Sequence, residues 1–285
     1  MKLLIVSTRK DLSLENIIEE AYKHNIETKT VFYEDLEINE IQDVVKGYNF
    51  CILRDPYNTG EDFSIYLRSI IQFFQPHQVL DYETYIKFPF YEDKLFQYLL
   101  FSPQMKMLRT WHFNSLSKVN IEKFPIIVKK RVSSRGRGIF IIESEQELKK
   151  FFFKNRVCDY FFQEYKEPKK DIRVIVLGNK VIGSVERKVN IKKLNGKLKV
   201  GVKVNSPFEL PRQIKGEVLK VARMIKCDFC GIDFLIDGEN NYYLLECNIS
   251  PQFIASEKVL KINIASELIK FIIRKYKSGA ARIFH

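Results

Sequence analysis

The sequence predicts an α/β protein with a small N-terminal parallel α/β domain, residues 1–90, followed by an α+β part, residues 91–285. Three observations support this prediction. Short apolar strands alternate with helices over the first domain, which is the pattern of a parallel sheet. From about Tyr91 onward strands follow one another in pairs, as in antiparallel hairpins. The length of 285 residues favours two domains over one.

The first domain is predicted to begin with an apolar strand, Lys2–Ser7. Asp11 or Ser13 can cap the helix that follows, whose apolar residues keep helical spacing. The other predicted elements are strands at Thr28–Phe32, Tyr48–Leu53 and Val79–Leu80 and a helix at Glu61–Gln75. No glycine fingerprint follows the first strand, so a dinucleotide site is not expected there.

The second part is predicted to contain more strands than helices. The strands are Phe124–Arg131, Ile139–Glu143, Asp159–Tyr165 and the hairpin Ile172–Leu177 with Lys180–Arg187. The helices are 144–155, which opens with a capping box at Ser144 and Glu147, Pro211–Lys226 and Ile264–Tyr276. The basic segment Ile191–Ser206 shows no clear pattern and is predicted to be a loop that turns at Asn195 and Gly196. The segment 278–285 is predicted to be a frayed tail.

A loop of small residues, Ser133–Gly138, joins two of these strands. The backbone N–H groups of such a loop can fold over phosphates. Lys129 at the end of the preceding strand adds a positive charge, and Arg135 and Arg137 have the geometry that suits phosphate oxygens. A tight hairpin turn would also explain the glycines, so the loop alone leaves both interpretations open.

The segment Gly231–Phe253 reads as a buried β-hairpin that turns at Gly238–Asn241. With the turn at its centre, Asp233 faces Glu246 across the two strands. The same register pairs Phe234 with Leu245, Leu235 with Leu244 and Ile236 with Tyr243. Both faces of the hairpin are therefore largely apolar, and the two opposed carboxylates stand out.

Opposed carboxylates need a compensating cation, because like charges across a strand pair destabilise it and unpaired buried charge costs several kcal/mol. Asn248 lies two residues after Glu246, so its side chain points to the same face. Two carboxylates and an amide oxygen suit Mg²⁺, which completes its shell with phosphate oxygens. The alternative is a solvated pair of carboxylates at a sheet end, bridged by a lysine.

The composition is that of a folded protein, with 46% hydrophobic and 29% charged residues. No apolar run is long enough to span a membrane and the N-terminus lacks a signal-peptide layout, so a cytoplasmic protein without membrane contact is expected. The net charge of +12 favours anionic partners or simply solvated lysines. The basic residues are spread along the chain, which argues against nucleic acid.

The five cysteines do not suggest a disulfide framework. Cys227 and Cys230 form a C-x-x-C pair, but zinc would need two more ligands and only Cys247 is near in sequence. We interpret the pair as two small apolar residues that lead into the next strand. A zinc or redox role is the weaker alternative.

Several motifs occur in an order that resembles a known family, and they cover nearly the whole chain. They are Asp93–Leu95, Phe124–Lys129 with Gly136 and Gly138, Gln163–Tyr165 with Asp171–Arg173, Glu186–Arg187, Gly231–Asp233 and Leu245–Pro251. Together they resemble the RimK-like ATP-grasp ligases, which are ATP-dependent carboxylate–amine ligases. The resemblance implies a two-subdomain ATP-grasp fold after the first domain, with a lid at about 112–165 and a C-terminal subdomain at 166–277.

The resemblance also implies roles for the matching residues. The ATP phosphates would contact Lys94, Lys129 and the loop residues Ser133, Ser134, Gly136 and Gly138. Adenine would contact Glu164 and Tyr165, and ribose would contact Asp171. One or two Mg²⁺ or Mn²⁺ ions would be held by Asp233, Glu246 and Asn248. Arg173 and Arg187 would face the reacting carboxylate and phosphate.

The reaction implied by the resemblance activates a carboxylate with the γ-phosphate of ATP to an acyl phosphate, which an amine then attacks. The favoured version adds glutamate or another amino acid to a peptide, a protein tail or a small carboxylate. Phosphoryl transfer requires mainly positioning and charge neutralisation, which Mg²⁺, lysine and arginine supply. The sequence leaves a homo-oligomer open.

Three positions depart from the family pattern. Ser133 and Gln252 replace glycines, and an Arg-Ser-Asn segment is not recognisable within 191–204, where Lys193, Lys197 and Lys199 occur instead. One hypothesis is that these lysines take over part of its function and select an acidic acceptor, the alternative being a solvated loop. The missing segment also motivates a second functional hypothesis, a nucleotide-binding regulatory module without ligase activity.

Overall fold

The computed structural model describes residues 1–57, 62–133, 138–194 and 197–283, with the backbone alone for the described residues of 190–201 and for 280–283. The strands are β1 (Lys2–Ser7), β2 (Glu27–Phe32), β3 (Phe50–Leu53), β4 (Thr110–Trp111), β5 (Ile126–Lys130), β6 (Ile139–Ile142), β7 (Tyr160–Glu164), β8 (Lys170–Leu177), β9 (Lys180–Leu194), β10 (Lys197–Pro207), β11 (Phe229–Ile236) and β12 (Tyr242–Ile249). The α-helices are α1 (Leu12–Lys23), α2 (Ile41–Val45), α3 (Ser64–Ile71), α4 (Tyr82–Lys87), α5 (Lys94–Phe101), α6 (Glu145–Phe152), α7 (Arg212–Met224), α8 (Ile254–Leu260) and α9 (Ile264–Ile283).

The N-terminal part forms a parallel sheet in which β1 lies between β2 and β3. The predicted parallel α/β arrangement is therefore confirmed. Asp11 caps α1, since its side chain accepts a hydrogen bond from the Leu14 N–H at 3.0 Å. The predicted strand at Val79–Leu80 is wrong, because Val79 makes only an isolated bridge to Cys51. Asp81 then takes a left-handed backbone conformation and α4 begins.

The rest of the described chain contributes an antiparallel sheet in the order β12-β11-β8-β9-β10-β6-β5-β7-β4. The predicted hairpin β8–β9 is confirmed, with Gly178 at a φ of +59° in its turn. β8 also pairs with β11, and this pairing places Arg173 beside Asp233. The strand order thus brings the charged residues of three separate motifs to one part of the sheet.

The segment Ile191–Ser206 is not a loop, contrary to the prediction. β9 continues to Leu194 and pairs with β10 from Lys197 onward, and β10 also pairs with β6. Valines alternate with other residues at Val200, Val202 and Val204, but the interleaved lysines obscured this period of two. The turn predicted at Asn195 and Gly196 lies outside the described residues.

Apolar cores hold the N-terminal sheet against the large sheet and against α9. Leu4 and Val6 of β1 share a core with Ile232 of β11, and Leu3 shares a second core with Leu268 of α9. Both apolar cores thus contain residues from before and after residue 90. The boundary there and the division into 112–165 and 166–277 stay predictions.

The predicted frayed tail at 278–285 is wrong as far as the chain is described, because α9 continues to Ile283. The helix packs closely near its C-terminal end, where a Cβ on Gly279 would approach the ring of His77 to 2.1 Å. Glycine at this position therefore allows the helix to approach the segment before α4. Across the described residues, α9 included, we find no helix with the length and apolar character to cross a membrane.

Candidate active site

A cavity of about 400 Å³ opens where the N-terminal sheet meets the large sheet. It collects predicted site residues that are far apart in sequence. Those that line it are Lys94, Lys129, Ser133, Tyr165, Asp171, Arg173, Arg187, Asp233, Glu246 and Asn248. Gly138 and Glu164 lie outside its lining, and Ser134, Arg135, Gly136 and Arg137 lie outside the described residues.

The hairpin β11–β12 places Asp233 directly opposite Glu246, as predicted. Beyond this pair the predicted register is wrong by one residue, because a bulge lets Phe234 pair with Leu244 instead of Leu245. The remaining pairs are Leu235 with Tyr243 and Ile236 with Tyr242. The unpaired Leu245 lines the cavity, which is where a bulge can re-aim a side chain.

The turn of this hairpin explains the shift in register. The Asp237 carboxylate accepts hydrogen bonds from the N–H groups of Glu239 at 3.0 Å and Asn241 at 2.9 Å. Asn240 takes a positive φ of 64°, which asparagine tolerates well. This turn is compact and fixes the pairing nearest to it, so the extra residue is accommodated further along β12.

Asn248 bridges the two opposed carboxylates. Its amide nitrogen donates to Asp233 Oδ2 at 3.3 Å and to Glu246 Oε1 at 3.1 Å. A half-turn of the amide would present its oxygen to the same space. Two carboxylates and an amide converge on one point, so the donor set fits a hard divalent cation such as Mg²⁺.

Protein cations also compensate these carboxylates. Arg173 binds Asp233 through two hydrogen bonds of 2.8 and 2.7 Å, and Arg187 Nη1 lies 3.1 Å from the same carboxylate. Burial opposes ionisation of Asp233, but these arginines outweigh it and hold its pKa below the usual value. Lys94 Nζ lies 3.6 Å from Glu246, so the lysine bridge of the alternative interpretation is present as well.

Arg187 joins a second carboxylate to this group. Its guanidinium also binds Asp171, the predicted ribose contact. Burial raises the pKa of Asp171 to about 6, against the opposing effect of Arg187. Arg187 therefore lies between Asp171 and Asp233. The charge of Asp233 in turn raises the pKa of Asp171.

Lys94 and Lys129 line the same cavity from different parts of the chain. Asp93 caps α5 and also accepts a hydrogen bond from Arg131 Nε at 2.9 Å, which ties the start of α5 to the end of β5. Lys94 Nζ donates to the Ser133 carbonyl at 2.5 Å, and Lys129 Nζ donates to Gln163 Oε1 at 2.8 Å. Both ammonium groups are thus positioned before any anion arrives.

Gly138 has a structural reason to be glycine. A Cβ at this position would approach Lys130 Cβ to 2.7 Å and Ser133 Oγ to 2.8 Å. The two ends of the loop therefore come too close for a larger residue. The Glu164 carboxylate accepts a hydrogen bond from the Arg109 N–H at 2.9 Å, and its contact with adenine stays a prediction.

Burial lowers the pKa of Lys129 to about 8, with a smaller opposing effect from Glu246. Bound phosphates would raise this pKa again, so ATP binding should take up a proton above about pH 8. We therefore expect ATP affinity to fall by up to about tenfold per pH unit above that point. Titration calorimetry at about pH 7 and pH 9 measures both the affinity and the proton uptake.

Lys129→Ala should weaken ATP much more than adenosine, because only the phosphates lose a charge partner. The variant should also lose most of the pH dependence of ATP affinity. Equal losses for ATP and adenosine, or an unchanged pH dependence, would show that Lys129 does not bind the phosphates.

Three charged residues on the side of the N-terminal sheet were not predicted from the sequence. Arg9 and Asp55 follow β1 and β3, and their side chains lie 3.6 Å apart at Nη2 and Oδ2. Glu92 precedes α5, lines the cavity, and has its pKa raised to about 8 by burial, with Lys94 opposing. The carboxyl ends of parallel strands are the usual place for ligands, so this rule could have identified Arg9 and Asp55.

Solved structures share this fold at low sequence identity. The D-alanine–D-alanine ligase of Bacillus anthracis superposes with a TM-score of 0.70 at 14% identity, over 99% of each chain. An ATP-grasp ligase named PsnB, bound to a minimal precursor, gives a TM-score of 0.70 at 16% identity over 96% of this chain and 99% of its own. The predicted fold class is confirmed by these similarities.

Sequence relatives point in the same direction. The chain is 26% identical to human beta-citrylglutamate synthase B over 58% of this chain and 43% of that protein. It is 26% identical to the tetrahydromethanopterin:alpha-L-glutamate ligase of Methanocaldococcus jannaschii over 98% of this chain and 100% of that protein. The chain spans about half the length of the first curated relatives it matches.

The family model of the RimK-like ATP-grasp domain matches residues 106–272, which is more than half of the chain. The matched region includes β5 to β12 and with them the opposed carboxylates, both arginines and Lys129. Lys94 and the N-terminal sheet lie outside it. The chain therefore belongs to the RimK-like ATP-grasp family.

Proposed function

We propose that the protein is an ATP- and Mg²⁺-dependent carboxylate–amine ligase that works through an acyl phosphate. The observation that carries this proposal is the convergence of Asp233, Glu246 and Asn248 with two lysines and two arginines in one cavity. Carboxylates for a cation and cations for phosphates are the two requirements of phosphoryl transfer from ATP. The names of the relatives, which are synthases and ligases, support it.

Each part of the cavity has a task in this reaction. Lys94 and Lys129 bind the phosphates and hold the γ-phosphate toward the arginines. Asp233, Glu246 and Asn248 would hold a Mg²⁺ ion, which would neutralise phosphate charge. Arg173 and Arg187 position the acid substrate, whose carboxylate oxygen attacks the γ-phosphorus while ADP leaves.

The second half of the reaction forms the amide bond. The amine nitrogen attacks the carbonyl carbon of the acyl phosphate and the bond to the phosphate oxygen breaks. Phosphate leaves with its negative charge bound by the arginines and takes up the proton that the nitrogen loses. Apolar residues such as Ile127, Leu235 and Leu245 line the cavity and limit the access of water. This protects an acyl phosphate from hydrolysis.

We further propose that the amine substrate is an amino acid, with glutamate as the first candidate. The wall formed by Arg9, Asp55 and Glu92 carries both signs of charge at the N-terminal side of the cavity. Arg9 can bind an α-carboxylate, and Glu92 can bind an ammonium group. The relative from M. jannaschii is named as a glutamate ligase, which agrees with this choice.

The proposed function is tested by measuring ADP and phosphate release over a panel of acid and amine pairs. ADP formation that requires both an acid and an amine supports ligation. Tight ATP binding without turnover for any pair would favour the regulatory module instead. Glutamate as the amine, with small carboxylates and peptides as acids, is the first set to examine.

A bound ammonium group would lower the pKa of Glu92 from about 8 and ionise its carboxyl, whereas an amide cannot ionise. Glu92→Gln should therefore raise the KM for the amino acid by about tenfold or more, because the ion pair is lost. The KM for ATP should change by less than about twofold, since the phosphates are bound by other residues. Glu83→Gln, on the exposed face of α4 where Glu83 pairs with Lys87, is the matched control. An unchanged KM for the amino acid would place the amine site elsewhere.

A further inference from the structure

Three cysteines meet on the core face of the hairpin β11–β12. The Sγ atoms of Cys227, Cys230 and Cys247 all lie within 4.8 Å of one another, and all three residues are buried. Cys227 precedes β11, Cys230 lies within it, and Cys247 lies in β12. Cys247 therefore supplies a third sulfur to the C-x-x-C pair, and a four-coordinate zinc site would need one more ligand.

The strand geometry explains why the sulfurs converge. Side chains alternate between the two faces of a strand, so Glu246 and Asn248 face the cavity while Cys247 faces the core. Cys247 pairs with Ile232 and Cys230 pairs with Ile249, which makes the two cysteines diagonal neighbours on that core face. The cluster therefore belongs to the same hairpin as the Mg²⁺ ligands but faces the opposite side.

A buried carboxylate with an unsatisfied oxygen belongs to the same neighbourhood. Asp81 Oδ1 accepts hydrogen bonds from the N–H groups of Asp228 at 2.5 Å and Phe229 at 2.9 Å, the two residues between Cys227 and Cys230. Asp81 Oδ2 is buried and has no hydrogen-bond partner within the described residues. An unpaired buried oxygen of this kind is costly, and a cation would satisfy it.

Asp81 lies beside Cys227, because its carboxylate binds the N–H groups of the next two residues. Burial raises the pKa of Asp81 well above its usual value, and the nearby Asp228 and Cys227 add to that effect. Lys275 pairs with Asp228 and brings positive charge to the edge of this region. Asp81 is not within the 4.8 Å group itself, so its side chain would have to move inward to share an ion.

We propose that Cys227, Cys230 and Cys247, with the carboxylate of Asp81 as fourth ligand, form a structural site for a thiophilic divalent cation of the Zn²⁺ class. Three sulfurs and one oxygen satisfy the four-coordination of structural zinc. Zn–S bonds of about 2.3 Å bring sulfurs to within about 4 Å of one another, so the cluster needs only a small contraction. Mg²⁺ prefers oxygen ligands and is not expected to bind here.

An ion at this site would stabilise the hairpin β11–β12 on the face opposite to the cavity. It would join the segment before β11, the C-terminal part of β12 and the residue that precedes α4. Gln97 of α5 already holds Cys247 through hydrogen bonds to its backbone N–H and carbonyl, both of 2.8 Å. The ion would therefore fix the backbone between Glu246 and Asn248, the two ligands on β12.

The test uses the full chain, purified after growth in zinc-supplemented medium, and measures metal content by elemental analysis. We expect one zinc per chain in the wild-type protein and in Cys51→Ser, because Cys51 is buried but lies outside the cluster. Cys227→Ser, Cys230→Ser and Cys247→Ser should each retain less than about a tenth of that zinc, and Asp81→Asn should bind it more weakly. Asp233→Asn should keep its zinc, which separates this site from the Mg²⁺ site.

A second measurement needs no variant and so does not depend on whether the substituted chains fold. Titration of the metal-free wild-type protein with Cd²⁺ should produce thiolate-to-metal absorption that saturates at one equivalent, and a chelator should lower the Tm of the zinc-loaded protein. Absence of stoichiometric zinc together with absence of this absorption would overturn the proposal. The three cysteines would then be small apolar core residues, as the sequence first suggested.

Discussion

Glu246→Gln should lower kcat for ADP formation by at least about 100-fold while the fold is retained. The reason is that Glu246 supplies one of the two carboxylates that face each other in the hairpin, and a neutral amide holds a divalent cation poorly. Loss of the cation removes several kcal/mol of charge stabilisation from phosphoryl transfer. Initial rates of ADP release over a range of Mg²⁺ concentrations measure the effect.

Glu239→Gln is the matched control, since Glu239 lies in the turn of the same hairpin and is exposed. It should keep the wild-type rate and the wild-type dependence on Mg²⁺. Excess Mg²⁺ should restore part of the Glu246→Gln activity if the defect is one of cation binding. An unchanged rate for Glu246→Gln at limiting Mg²⁺ would falsify the assignment of this residue.

Arg187→Met should reduce kcat by about 100-fold, with a smaller effect on the KM for ATP. Arg187 contacts both Asp171 and Asp233 and lines the cavity, so it is placed to neutralise charge on the transferred phosphate and on the acid. Asp233 would still be held by the two hydrogen bonds of Arg173. The loss should therefore appear mainly in the chemical step.

Lys188→Met provides the comparison for this variant. Lys188 is the next residue of β9 and is exposed, so its side chain leaves the strand on the other face. It carries the same charge and should have the same effect on net charge as Arg187→Met, but little effect on rate. If the two variants have equal activity, Arg187 affects the reaction only through the net charge of the protein.

The opposed pair of Asp233 and Glu246 could be predicted from the sequence because strand alternation and pairing next to the pair are local properties. The register nearer the turn could not be predicted, because it depends on the hydrogen bonds of Asp237 and on a bulge at Leu245. A single extra residue in one strand leaves no distinct trace in the hydrophobic pattern.

The strands β9 and β10 were missed for a related reason. Lysines between the valines obscured the alternation, and pairing with β6 stabilises a segment whose own pattern is weak. Their lysines, Lys193, Lys197 and Lys199, lie on described backbone but their side chains are not described. Selection of an acidic acceptor by these residues therefore stays a prediction.

The wall of Arg9, Asp55 and Glu92 and the cluster of three cysteines required the tertiary structure. Arg9 follows β1 and Glu92 precedes α5, and only the packing of the N-terminal part on the large sheet brings them to one cavity. Cys247 was visible beside the C-x-x-C pair in the sequence, but the convergence of its sulfur depends on the face of β12 that it occupies. Local patterns therefore predicted many of the elements, and long-range packing decided which side chains meet.

The most direct test of the proposed ligation follows oxygen from the acid substrate. The acid that gives the highest ADP formation is labelled with ¹⁸O in its carboxylate, and the released phosphate is analysed by mass spectrometry. An acyl-phosphate mechanism predicts one ¹⁸O atom in each phosphate, because the oxygen that attacks phosphorus leaves with it when the amine attacks carbon. Phosphate without label, formed at the same rate as ADP, would contradict the mechanism and indicate hydrolysis of ATP by water.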